Sequence, residues 1–314
     1  MRSGLTFAKH GRTESKTKMK KSAPLLIITA AVLWGSMGLF IRTLTALGYE
    51  TFQLVFCRAV LTSLSLIAYF LIFDREKLKI KLKDFPIFLL TSLVSVILFN
   101  FCYMNAINSG SISIAATLLY TAPIFVTVIS AFLFKEKITP LKTAALVLAF
   151  TGCVLVSGVI GSAGSLSPAA LLFGIASGLT YGMYSIFTKI GIKKYSPLTF
   201  TAYTFLISSV ISAFICKPAE FVSTTVQKPS NIIILVLFSL ATNVIPYICF
   251  TSGLKYMDAG KANITATIEP VVATLLGIFV LHEKLNAVSA LGIFLVLFSA
   301  VILNVPHKKH TSKY

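Results

Sequence analysis

Ten runs of mostly apolar residues follow one another along this chain, at roughly 23–41, 53–73, 86–107, 112–134, 142–160, 169–188, 198–216, 230–253, 262–281 and 287–305. A helix that crosses a bilayer needs about 20 such residues. In hydrocarbon every backbone N–H and C=O must be satisfied by the protein itself, so lipid-exposed irregular chain is excluded. The fold class that follows is all-α and integral to the membrane, with ten transmembrane helices. Composition points the same way: 12% of the 314 residues are charged and 56% are hydrophobic. A soluble domain carries about a quarter charged residues, so this chain cannot coat a water-facing surface.

The distribution of Lys and Arg sets an orientation. Met1 to Ser22 is polar and basic, and the run that follows is too long for a signal-peptide core and lacks a small-residue cleavage site, so it reads as a retained first helix. With the N-terminus inside, the inner segments gather most of the basic residues, including Arg75, Lys77, Lys79, Lys81 and Lys83 between the second and third runs. The outer segments hold only Arg42, Lys217, Lys228 and Lys284; Arg58 alone falls in the interior of a run, and Lys142 stands at the inner edge of one. This asymmetry places both termini in the cytoplasm, which requires an even number of spans. The net charge of +18 therefore reflects topology, and no nucleic-acid partner is expected.

The halves align without a gap at an offset of 147 residues. Trp34-Gly35 pairs with Tyr181-Gly182, Ala115 with Ala262, Pro123 with Pro270, and Phe134-Lys135-Glu136-Lys137 with Leu281-His282-Glu283-Lys284. Each half carries five runs, an odd number, so the second copy enters the membrane from the opposite side. Two inverted five-helix repeats are expected, an arrangement that in secondary transporters supplies alternating access. The expected organisation is a basic cytoplasmic tail at 1–22, a first repeat at 23–160, a second inverted repeat at 161–307 and a basic cytoplasmic tail at 308–314. The Gly- and Ser-rich stretch from Gly158 to Ser167 reads as a short flexible outer link.

Leu33-Trp34-Gly35-Ser36, Arg58-Ala59, Pro123 followed by Phe134-Lys135-Glu136-Lys137, and Glu269-Pro270 followed by Leu281-His282-Glu283-Lys284 stand in an order and spacing that resembles the EamA-type transporters of the drug/metabolite transporter superfamily. The resemblance covers essentially residues 23 to 305. It implies ten helices in two inverted repeats, a central cavity and no ATP-driven motor, with substrates among amino acids, other metabolites, nucleotide sugars and drugs. His282 stands where many relatives have a small or apolar residue, at a loop.

Glu269, beside Pro270, is the only acidic residue within the expected spans. Low dielectric disfavours its charged form, so it is a candidate to take up and release a proton or to hold a cation; the plainer role is to satisfy backbone groups freed by the proline. Arg58, about six residues into the second span, either faces a wet cavity as a partner for an anionic substrate group or for Glu269, or snorkels to the outer headgroups. Pro123 and Pro270 each remove a helical hydrogen bond and serve as hinges or as fixed bends. Trp34, Asn100, Tyr103, Tyr120, Tyr181, Tyr184, Asn243 and Tyr247 lie at mid-span. An aromatic lining with a few convergent polar groups is what ligand sites use, though interhelical hydrogen bonding explains many such residues. Gly174, Gly178 and Gly182 form a small-residue ladder that reads as close helix packing.

No phosphate-loop motif occurs. All four histidines fall outside the runs, and the five cysteines show no metal spacing, so neither an enzyme nor a metal or other cofactor is expected. The expected function is secondary active transport, export or permeation, of a small metabolite such as an amino acid. The resemblance and the compact loops imply a bacterial cytoplasmic membrane as the setting, Glu269 is the candidate for proton coupling, and the bilayer and a small-molecule substrate are the expected partners. Efflux of lipophilic cations and a non-transporting membrane scaffold are the alternatives.

Overall fold

The computed structural model describes residues 21–160, 167–282 and 285–305. Those residues form helices, turns and short connections, with no strand among them. Eight helices are long and apolar enough to cross a membrane. They are α1 (Lys21–Ala46), α2 (Thr51–Phe73), α3 (Leu82–Ser109), α4 (Ile112–Phe134), α6 (Pro168–Gly191), α8 (Asn231–Leu254), α9 (Ala259–Val280) and α10 (Ala287–Asn304). Two more apolar helices, α5 (Pro140–Val156) and α7 (Pro197–Ala213), have 17 residues each. At 1.5 Å per residue that is about 25 Å, the short end of what spans hydrocarbon. After α7 the chain bends by 95° into a short helix at Pro218–Gln227, which makes a ninth span if the bent pair counts as one. The expected tails at 1–22 and 308–314 lie almost wholly outside the described residues, as do the middle of the Gly/Ser link and Glu283-Lys284.

Helix starts follow local chemistry. Ser111, Thr139, Ser167, Ser196 and Asn286 each cap a helix by accepting from the backbone N–H three residues on, which satisfies one of the orphan donors of the first turn. Proline occupies the first turn of α5, α6 and α7, where its missing N–H is not needed.

The two halves interlock. Among the helix pairs in contact are α2 with α7, α4 with α9, and α5 with α10, each helix beside its counterpart from the other half. Several further contacts are reciprocal. Helix α6 packs on α3 and α4, while Gly253 of α8 lies on Ala23 and Ile27 of α1, and Gly35 of α1 lies on Val272 and the Glu269 carbonyl of α9. Gly182 in turn packs on Val126 and the Ala122 carbonyl. Gly178 and Gly174 meet Leu118 and Thr121 of α4, so the ladder of α6 is the close-approach surface its spacing predicts.

Irregular backbone repeats at the same offset. A π-helical stretch runs through Leu93–Leu98 of α3 and another through Leu240–Val244 of α8. Helix α4 breaks at Tyr120-Thr121 and α9 at Thr267-Ile268. Lys135 and His282, at the ends of α4 and α9, both take left-handed φ, 55° and 56°. The prolines act differently from mid-helix kinks. Pro123 and Pro270 sit in the first turn of the restarted segments Ala122–Phe134 and Glu269–Leu281, so each permits a restart after a break instead of bending a continuous helix. Only α8 has a proline after its π stretch, Pro246, so proline is not what produces the π turns.

Large apolar side chains cover the outside: Phe132 is 83% exposed and Phe279 74%, and lipid is the solvent that suits them. Inside, buried Ser and Thr residues bond back to the preceding turn, as Thr91, Ser92, Ser208 and Thr242 do.

Candidate functional site

The break in α9 places Glu269 at the first residue of a half-helix, whose N-terminal end carries positive partial charge. Its carboxyl lies close to the Tyr181 hydroxyl. Tyr103, Tyr120 and Tyr247 lie close enough to interact with it electrostatically. The four tyrosines come from α3, α4, α6 and α8, so helices of both halves converge on one carboxyl. Tyr103 stacks on Phe99 at 5.9 Å and Phe99 in turn meets Tyr181 at 5.3 Å.

Next to this group is a small void lined by Trp34, Ser95, Tyr181, Tyr184, Ser185, Tyr247, Phe250 and Asn263. Its volume is about 10 Å³, room for about one water molecule. Trp34 meets Tyr247 edge-on at 5.2 Å and Phe250 at 5.3 Å. Tyr184 meets Tyr247 at 4.9 Å and shares a 3.0 Å hydrogen bond with the Thr251 hydroxyl. Asn263 donates to the Ser185 hydroxyl at 2.7 Å and to the Ala259 carbonyl at 3.0 Å, tying α9 to α6. The Ser95 hydroxyl, on the π stretch of α3, is buried with no hydrogen-bond partner.

Arg58 stands apart from Glu269, and no ion pair joins them. Its Nη1 lies 3.4 Å from the Met37 sulfur, and its guanidinium sits over the Phe238 ring at 5.4 Å. Its Nε is buried and makes no hydrogen bond. Asn243 supports this corner by donating to Thr62 Oγ1 at 2.8 Å and to the Arg58 carbonyl at 3.4 Å. Tyr247 is the link between the two regions, within electrostatic range of both Arg58 and Glu269.

Of the sequence-derived candidates, Tyr103, Tyr120, Tyr181, Tyr247 and Glu269 come together, Trp34 and Tyr184 line the adjoining void, and Arg58 and Asn243 form a neighbouring corner. Asn100 is spent on its own helix, donating to the Val96 carbonyl at 2.7 Å and so satisfying a group inside the π stretch. Sequence reasoning missed Ser95, Ser185, Phe250 and Asn263. Polar residues at 95, 185 and 263 are a signal in hindsight, but Ser and Asn are common enough in helices that nothing singled them out.

A second polar centre was also missed. Glu136, in the connection from α4 to α5, is buried, and its carboxylate accepts from the Ala259 N–H at 2.7 Å, the Gly260 N–H at 3.3 Å and the Ser130 hydroxyl at 3.0 Å. Lys142 pairs with it at 3.2 Å and Lys189 lies 4.0 Å away. Lys189 also donates to the Leu254 and Met257 carbonyls at the end of α8. Glu136 thus caps the N-terminus of a helix in the other half.

The EamA-like transporter family matches this chain twice, at residues 21–158 and 168–305. An uncharacterized transporter of Archaeoglobus fulgidus is 28% identical over 285 residues, covering 88% of this chain and 94% of its own length. The uncharacterized transporter YxxF of Bacillus subtilis is 22% identical over 296 residues, 93% of this chain and 92% of its own. A crystal structure with 19% identity superposes with a TM-score of 0.75 over 90% of this chain and 96% of that one, which speaks to the fold.

Proposed function

This chain belongs to the EamA-like transporter family, and we propose that it is a secondary transporter that moves a small polar metabolite, such as an amino acid, by alternating access through the centre between its halves. Family and relatives make it a multi-pass membrane transporter; substrate, coupling and the cytoplasmic membrane of a bacterium belong to the proposal. So do ten spans in two inverted repeats, 23–160 and 161–307, with both termini inside.

One observation carries the reading: a single carboxyl, Glu269, within electrostatic range of tyrosines from four helices of both halves, near a void that two of those tyrosines line. In this conformation the void holds about one water, so a metabolite enters only when the helices part. The breaks at Tyr120-Thr121 and Thr267-Ile268 and the two π stretches are where the backbone has the fewest regular bonds to lose, and we assign the movement to them. Glu269 exchanges a proton or holds the substrate's cationic group, and the unpartnered Nε of Arg58 is free for an anionic one.

The test is uptake or exchange in proteoliposomes with pooled amino acids and metabolites and an internal pH dye. The parent is expected to move a solute with protons, and Glu269→Gln to lose the proton dependence. A parent that moves no small solute under any gradient defeats the metabolite reading. The tyrosine-ringed carboxyl equally suits a lipophilic cation; loss of resistance to such cations in a Glu269→Gln strain favours that alternative.

A further inference from the structure

Away from the centre, a second cavity of about 570 Å³ opens where the connection between α2 and α3 meets the corner between α6 and α7. Lys77, Lys79, Lys81, Lys83 and Lys194 line it, against two acidic residues, Glu76 and Asp84. Both acids are already engaged: Glu76 accepts from Lys79 at 2.7 Å, and Asp84 accepts from Lys194 and from the Tyr195 hydroxyl. Lys77 pairs with Asp74. Lys81 and Lys83 form no ion pair among the described residues and are exposed at the cavity.

The connection is held in place. The Lys81 N–H donates to the Tyr195 hydroxyl at 3.0 Å, the Thr199 hydroxyl donates to the Lys77 carbonyl at 3.0 Å, and the Tyr203 hydroxyl donates to the Leu78 carbonyl. A basic concavity is therefore fixed before any ligand arrives, instead of being a set of lysines waving in water. Its surroundings are apolar. Leu82, between the two free lysines, is 86% exposed, and Phe85 in the same turn and Ile72 and Phe73 at the end of α2 are exposed as well. A positively charged pocket bordered by lipid-facing side chains has the chemistry of a headgroup seat.

We propose that this cavity binds a phosphate-bearing anion, with Lys81 and Lys83 as its principal contacts. A phosphodiester of an anionic phospholipid and a free phosphate share that chemistry, and the apolar border favours the lipid.

The full chain in detergent is titrated with short-chain phosphatidylglycerol, short-chain phosphatidylcholine and inorganic phosphate, followed by native mass spectrometry and thermal unfolding. The double variant Lys81→Gln/Lys83→Gln is compared with Lys228→Gln/Lys255→Gln, which removes the same charge elsewhere. Phosphatidylglycerol is expected to bind more tightly than phosphatidylcholine, and the site variant to lose roughly fivefold per lysine, with the control variant unchanged. If inorganic phosphate binds alone with the same dependence on Lys81 and Lys83, and the acyl chains add nothing, the site takes free phosphate. Equal losses in both variants, or no preference for either phosphate-bearing anion, overturns the proposal. The four exchanged side chains are exposed, Lys83 in the first turn of α3 and the others in connections, so none of the substitutions removes core packing.

Discussion

A Cβ added at Gly35 would lie 2.7 Å from the Val272 Cβ and 2.8 Å from the Glu269 carbonyl oxygen. The second is backbone and cannot step aside, so Gly35→Ala forces α1 away from the half-helix that carries Glu269. Overpacking of this kind costs about 1–3 kcal/mol, and a lowered unfolding temperature in detergent is expected. Gly38, one turn further on, has nothing within 4 Å, and Gly38→Ala should unfold no earlier than the parent. If both variants behave alike, the close approach of α1 and α9 is not what Gly35 provides. Arg58 makes a second residue-scale prediction. Its Nε is buried without a partner, and its guanidinium is planar where an ammonium is a point charge. Arg58→Lys is therefore expected to lose transport about as fully as Arg58→Met. Recovery by lysine in the proteoliposome assay would show that charge alone suffices.

The elements are tied together at Glu136. Burial pushes its carboxyl up, but the Ala259 N–H, the Lys142 ammonium, the Ser130 hydroxyl and the Gly260 N–H together hold it below its ordinary value of 4.5. A carboxyl whose folded value is depressed contributes stability that is complete above its unfolded value. That contribution is lost as pH falls from about the ordinary value through the depressed one. Thermal unfolding of the parent should therefore be level with pH near neutrality on this account and fall below about pH 4.5. Glu136→Gln leaves Lys142 and Lys189 without their carboxylate, and removing one member of a buried pair costs about 3 kcal/mol. The gap between variant and parent should narrow in acid. A gap that stays constant across pH would place the effect in packing instead. The Glu136 motif was visible in the sequence as half of a repeated Phe/Leu-x-Glu-Lys pattern. It read only as a repeat marker, because nothing local says that a loop carboxylate will cap a helix from the other half.

At the scale of the whole molecule, reciprocal packing and matched irregularities express the 147-residue offset in three dimensions. Inversion is a statement about sidedness, and labelling tests it. In a cysteine-free background, Lys228→Cys is expected to react with an impermeant maleimide in intact cells. Lys79→Cys should react only after the membrane is opened. Both positions are exposed, so access depends on side alone, and reaction of both in intact cells would refute the topology.

The sequence by itself determined the class of solvent, the near-regular succession of helices and the twofold repeat. Apolar length and a constant offset are properties of the chain read in one dimension, and hydrocarbon leaves a span little choice but to be helical. It also drew attention to Glu269, because a carboxyl within an apolar run is costly wherever the helix lies. Tertiary structure decided the rest. Whether Tyr103, Tyr120, Tyr181 and Tyr247 meet one carboxyl while Asn100 turns back on its own helix depends on how helices from opposite halves cross. Whether Pro123 and Pro270 kink a helix or restart one depends on the breaks just before them. Whether Arg58 pairs with Glu269 or rests on Met37 and Phe238 depends on which faces of α2, α8 and α9 are brought together. Those contacts join residues far apart in the chain, and helical periodicity fixes which side chains share a face but not which face it meets.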